Sequence, residues 1–120
     1  CESTVAEVQA HRLPLARELA QEWKVWLVLK GARTIVATPE GDCYINSSGG
    51  PALATGGSGD VLTGIIVSLL AQGLAPKEAA IAGVFIHGLA AHEAAKLAGG
   101  ERGIVAGDLI RALPAVLADF

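Results

Sequence analysis

Thr55-Gly56-Gly57-Ser58-Gly59-Asp60, running directly into Val61-Leu62-Thr63-Gly64-Ile65, decides how the rest of this chain is understood. Glycines let a backbone turn its amides inward. The first N–H groups of a helix that starts near Asp60 are unsatisfied donors at the positive end of the helix dipole. Gly57, Ser58 and Gly59 therefore read as an anion-hole loop. The competing reading is a flexible loop in which Asp60 only caps the helix, a place where aspartate is favoured. Two phosphate motifs are excluded. No lysine follows the glycines as a Walker A loop requires, and Leu62 stands where G-x-G-x-x-G needs its third glycine. A carboxylate at the mouth of an anion hole suits a site that must also take a proton from a hydroxyl. Aspartate is ionised at neutral pH, and neighbouring phosphate charge strengthens it as a base. The glycine amides would stabilise charge on a transferring phosphoryl group.

Around this loop the chain alternates helix and strand patterns. Thr4 and Glu7 form a capping box, and Val5, Val8, Leu13, Leu15 and Leu19 recur at near-helical spacing up to about Glu22, with Pro14 kinking or splitting the helix. Residues 25–29 form a short apolar run that predicts a strand buried on both faces. Residues 34–38 and 43–46 predict two further strands joined by a turn at Pro39, Glu40, Gly41 and Asp42, an antiparallel hairpin. After the glycine loop a helix is expected from about Asp60 to Gln72, closed by Gly73. The next opens at Pro76, is crowded with alanine and glycine so that neighbours can approach closely, and ends at Gly99-Gly100. A last helix is expected from about Asp108, with Pro114 inside it. No repeat or linker divides the chain. Helix, strand, hairpin and three helices fit the C-terminal portion of an α/β sheet sandwiched by helices.

Composition sets the outer limits. The 120 residues are 52% hydrophobic and 18% charged, which excludes intrinsic disorder. Nine Lys+Arg against twelve Asp+Glu leave a net charge of −3, so there is no basic stripe for nucleic acid. The longest uncharged apolar run, residues 61–75, is interrupted by Thr63, Ser68, Gln72 and two glycines. It falls short of the roughly 18–20 apolar residues of a membrane span. Cys1 and Cys43 show neither C-x-x-C spacing nor a disulfide framework, which favours a reducing, cytoplasmic setting. Methionine is absent, including at position 1, and the chain enters a helix pattern within three residues. Residues 1–120 are accordingly expected to be the C-terminal part of a longer domain. His87 and His92 would point about 140° apart on one helix, and no H-E-x-x-H occurs, so no metal ligand is assigned. Trp23 and Trp26 bracket a strand start and read as packing, as does Cys43.

Gly56-Gly57-Ser58-Gly59-Asp60 resembles the GxGD signature of the ribokinase-like superfamily. Leu29-Lys30-Gly31-Ala32-Arg33-Thr34, Asn46, the run from Ala54 to Gly64, His87-Gly88 and Ala106-Gly107-Asp108-Leu109 resemble one branch of it. That branch is the ADP/ATP-dependent NAD(P)H-hydrate dehydratases. The resemblance implies a three-layer, Rossmann-like sandwich. It also implies a repair reaction: the ring hydroxyl of hydrated NADH or NADPH is phosphorylated by ADP or ATP with Mg²⁺, and loss of phosphate restores the cofactor. By the same resemblance Lys30, Gly31, Ala32, Arg33, Thr34 and Gly59 hold the nucleotide, and Asp60 faces the hydrate as catalytic base. Lys30 supplies a point charge and Arg33 a candidate phosphate contact. A homo-oligomer, tetrameric in the family, is expected. Gly50 stands where many relatives have asparagine. Gly107 stands where serine is common, which would weaken the cap of the last helix. Two alternatives stay open. One is a kinase of the same superfamily acting on a vitamin-precursor alcohol of hydroxymethylpyrimidine or hydroxyethylthiazole type; the other is a nucleotide-binding remnant without catalysis.

Overall fold

The structure, a computed structural model, describes residues 12–31, 33–48, 56–100 and 102–118. Among these the elements run α1 Arg12–Trp23, β1 Leu27–Leu29, β2 Ile35–Ala37, β3 Cys43–Ile45, α2 Ser58–Ala71, α3 Pro76–Ala98 and α4 Ala106–Leu117. They form two compact units, Cys1–Asn46 and Ser47–Phe120. The Thr4–Glu7 capping box lies outside the described residues. No described helix is long and apolar enough to cross a membrane.

In the first unit β1, β2 and β3 form an antiparallel meander with β2 in the middle. Leu29 pairs with Ile35, and Ala37 with Cys43. The central position explains why Ile35, Val36 and Ala37 are all buried, whereas the whole of β1 is only half-buried. The expected doubly buried first strand is therefore corrected in both burial and length. Lys24 ends α1 in the left-handed region (φ 54°), and the Val25 N–H donates back to the Ala20 carbonyl at 3.0 Å. That bond assigns Lys24 and Val25 to the closing turn of the helix and delays the strand to Leu27. Pro14 occupies the first turn of α1, where the backbone N–H it lacks would have had no intrahelical partner. Ala16 and Ala20, both 0% exposed, set α1 against Ile35 and Ala37. The β2–β3 turn forms as expected. The Thr38 N–H donates to Asp42 O at 2.9 Å, and the Thr38 hydroxyl accepts from the Asp42 N–H at 3.1 Å. Gly41 takes φ 102°, a conformation that favours glycine.

In the second unit α2, α3 and α4 enclose a core of Ile86, Ala90, Ala94, Ile104, Leu109 and Val116. Leu109 is fully buried, which contributes on the order of 1.5–3 kcal/mol. The small residues of α3 allow the close approach the composition implies. A β-carbon at Gly83 would lie 2.6 Å from Ile66 Cγ1 of α2. Gly73 (φ 99°) closes α2 in a Schellman turn: its own N–H bonds to Leu70 O at 3.0 Å, and the Leu74 N–H bonds to Leu69 O at 3.2 Å. The last helix begins at Ala106, two residues earlier than expected. Gly107 therefore lies inside the first turn and is not its cap. The Asp108 carboxylate instead accepts the Val105 N–H at 2.9 Å.

Candidate functional site

The sequence Gly57-Ser58-Gly59-Asp60 folds into the N-terminal turn of α2. Gly57 precedes the helix at φ 86°, and a β-carbon there would sit 3.2 Å from Ala106 Cβ. Conformation and crowding both demand glycine. With no side chain, Gly57 offers no cap to the amides that follow. The first ladder bonds run from the Asp60 and Val61 N–H groups to the Gly57 carbonyl, at 3.1 and 3.2 Å. The Gly59 N–H lies ahead of that ladder, at the positive end of a 14-residue helix.

Asp60 is the third residue of α2 and is exposed. The reading of Asp60 as an N-cap is thereby replaced, because Gly57 holds that position. Asp60 is among the residues that line a mainly apolar cleft of about 1150 Å³ among α2, α3 and α4, with Val61, Ile65, Phe85 and Leu113 also in its walls. Ser58, grouped with the anion loop by sequence, faces inward and is 0% exposed; its Oγ lies 3.2 Å from His87 Nε2. The Ser58 hydroxyl is thus engaged inside the fold.

In the first unit, Lys30, Gly31, Arg33 and Thr34 lie on the loop between the paired residues Leu29 and Ile35. Ala32 lies outside the described residues. Lys30 and Arg33 are exposed, whereas Thr34 is buried at 6% exposure and its carbonyl accepts the Asn46 N–H at 2.9 Å. Partial desolvation lowers the Lys30 ammonium pKa from the ordinary 10.5. The sequence pattern did not single out Arg12. Its guanidinium donates to Leu29 O at 3.2 Å and to Arg33 O at 2.9 Å, bridging both ends of the loop. A β-carbon at Gly31 would meet that guanidinium, the end of a long side chain that would have to shift. No spacing rule finds such a partner, since Arg12 is 17 and 21 residues from the carbonyls it holds.

Among the described residues no group of three His, Cys, Asp or Glu side chains could hold a metal ion.

The chain as a whole is similar to known proteins of one kind. The chain is 52% identical over 115 residues to the bifunctional NAD(P)H-hydrate repair enzyme Nnr of Moorella thermoacetica, covering 96% of this chain and 22% of that protein. It is 49% identical over 107 residues to the ADP-dependent (S)-NAD(P)H-hydrate dehydratase of Neisseria meningitidis, covering 89% of this chain and 36% of that protein. The crystal structure of the ADP/ATP-dependent NAD(P)H-hydrate dehydratase of Bacillus subtilis, co-crystallised with ATP/Mg²⁺ and soaked with CoA, superposes with a TM-score of 0.86. That structure is 37% identical, with 96% of this chain and 42% of that chain covered. The chain thus spans well under half the length of these relatives, and its α/β fold is the ribokinase-like one they share. Residues 1–115 match the family described as NAD(P)H-hydrate dehydratase, and the chain belongs to that family.

Proposed function

We propose that the chain is the C-terminal part of a dehydratase domain that returns hydrated NADH or NADPH to NAD(P)H at the expense of ADP or ATP. The observation that carries this reading is the turn at residues 57–60. It combines a glycine cap with no side chain, the Gly59 amide ahead of the helical ladder and an exposed carboxylate at the next residue. That arrangement can receive a phosphoryl group and take a hydroxyl proton within one helical turn.

In the proposed mechanism Asp60 removes the proton of the ring hydroxyl as its oxygen attacks the terminal phosphorus. The nucleotide leaves one phosphate shorter. The hydroxyl, now a phosphate ester, departs as phosphate while a proton leaves the adjacent ring carbon, and the nicotinamide double bond is restored. The Gly59 N–H is directed at the transferring oxygens. Lys30 contributes a positive charge to nucleotide binding, on a loop whose two ends Arg12 holds. Mg²⁺ on the nucleotide phosphates would neutralise charge developing during transfer.

A kinase of vitamin-precursor alcohols is the weaker reading. The relatives at 52% and 49% identity are named for NAD(P)H-hydrate repair and dehydration. A cytoplasmic, homo-oligomeric (tetrameric) enzyme completes the proposal. The test is incubation of the complete domain with hydrated NADH, Mg²⁺ and ADP or ATP. Return of NADH absorbance with one phosphate released per NADH is expected. A stable phosphorylated hydrate, or phosphorylation of a hydroxymethylpyrimidine in its place, would overturn it.

A further inference from the structure

Ser58 and His87 form a buried polar pair that joins two helices at the point where the turn begins. Ser58 is the first residue of α2 and is 0% exposed; His87 lies within α3 and is 2% exposed. Their Oγ and Nε2 atoms are 3.2 Å apart. The hydroxyl donates when Nε2 is bare and accepts when Nε2 carries the proton, so either tautomer sustains the bond. The hydroxyl is directed inward, and the Gly59 N–H that follows it lies ahead of the helical ladder. Glycines on both sides of Ser58 give the backbone little stiffness of its own. The Ser58 side chain adds to the helical bonds at Gly57 a tie from this segment to α3.

We infer that Ser58 and His87 are positioning residues: His87, acting through Ser58, aims the Gly59 amide and the Asp60 carboxylate. The inference rests on the reading of this turn as a phosphoryl-transfer site. A displacement of about 1 Å at such a site costs on the order of 100-fold in rate, so loss of the bond should be felt mainly in turnover. It predicts a pattern that simple core packing does not produce. Gln at position 87 can bring its amide near the place of Nε2, whereas Leu fills space without a polar atom.

The experiment uses the complete domain in wild-type form and as Ser58→Ala, His87→Gln, His87→Leu and the Ser58→Ala/His87→Leu double variant. It measures kcat and KM for ADP, thermal unfolding, and amide hydrogen exchange at residues 59–61. Ser58→Ala and His87→Leu are each expected to lower kcat about 10- to 100-fold at temperatures where both stay folded, with KM for ADP moving less than about threefold. The double variant is expected to be no worse than the poorer single one, and His87→Gln to retain kcat within about threefold. Unchanged kcat in Ser58→Ala would overturn the inference. So would equal losses in His87→Gln and His87→Leu that simply follow their unfolding temperatures. If the wild-type domain returns no NADH, the repair reading fails by itself. Exchange then decides the inference: faster exchange at residues 59–61 in Ser58→Ala, with the middle of α3 unaltered, supports it, and unchanged exchange overturns it.

Discussion

At Lys30 the chain places an ammonium group at the end of β1, where partial desolvation lowers its pKa from 10.5. If Lys30 holds the nucleotide as proposed, phosphate would favour the charged form, so binding would raise that pKa again and take up a proton wherever the free lysine has begun to lose one. The sign follows: ADP affinity should be full below the lowered pKa and fall as pH rises through it. In Lys30→Arg the guanidinium stays charged throughout, and this alkaline loss should disappear. Calorimetric ADP affinities of the complete domain across alkaline pH test this; the same fall in both proteins would remove Lys30 from nucleotide binding. Lys30 stands out in the sequence because a motif contains it. Arg12 does not, because its role arises only when the hairpin carries two carbonyls to one guanidinium. His87 was visible as part of a His-Gly pair, but its spacing to His92 spoke only to metal binding. Its partner is 29 residues away.

Among the elements, those closed by glycine or opened by proline were read most accurately. Gly73 and Gly99 end α2 and α3, and Pro76 begins α3, because each residue type has few conformations to choose from. The starts of α2 and α4 were placed two residues late. Both were sought at an aspartate, and in both the aspartate is the third helical residue. At α4 the physical reason is visible: Asp108 reaches back to the Val105 N–H at 2.9 Å and also meets Arg111 at 2.7 Å. The Val105 hydrogen bond, followed by that with Arg111, lowers the Asp108 carboxyl pKa from 3.8. A depressed carboxyl pKa contributes stability that is present above the unfolded value and is lost as pH falls through the folded one. Urea unfolding of the complete domain should therefore show Asp108→Asn less stable than wild type above about pH 4. The difference should shrink as the solution is made more acid. A gap that is independent of pH would show that the ionised carboxylate plays no part in holding α4.

At the scale of the molecule, the α/β class and the order of elements were legible because apolar period and turn residues agree along most of the chain. The division into Cys1–Asn46 and Ser47–Phe120 falls where the Gly/Ser/Thr-rich stretch 47–59 begins, a stretch that reads as a loop and not as a boundary. The burial of β1 was also misjudged. An apolar run states what a strand can bury, whereas its place in the sheet decides what it does bury, and here β2 is the central strand. The proposed function needs both the anion-binding turn and the carboxylate it presents, so the most direct test separates the two. Asp60→Asn in the complete domain should bind ADP as wild type does, with kcat for NADH recovery lower by about 10²- to 10⁴-fold, the usual contribution of a general base. Turnover at the wild-type rate with ADP still bound would contradict the assignment of Asp60 as the base and, with it, the account of this turn as the reaction centre.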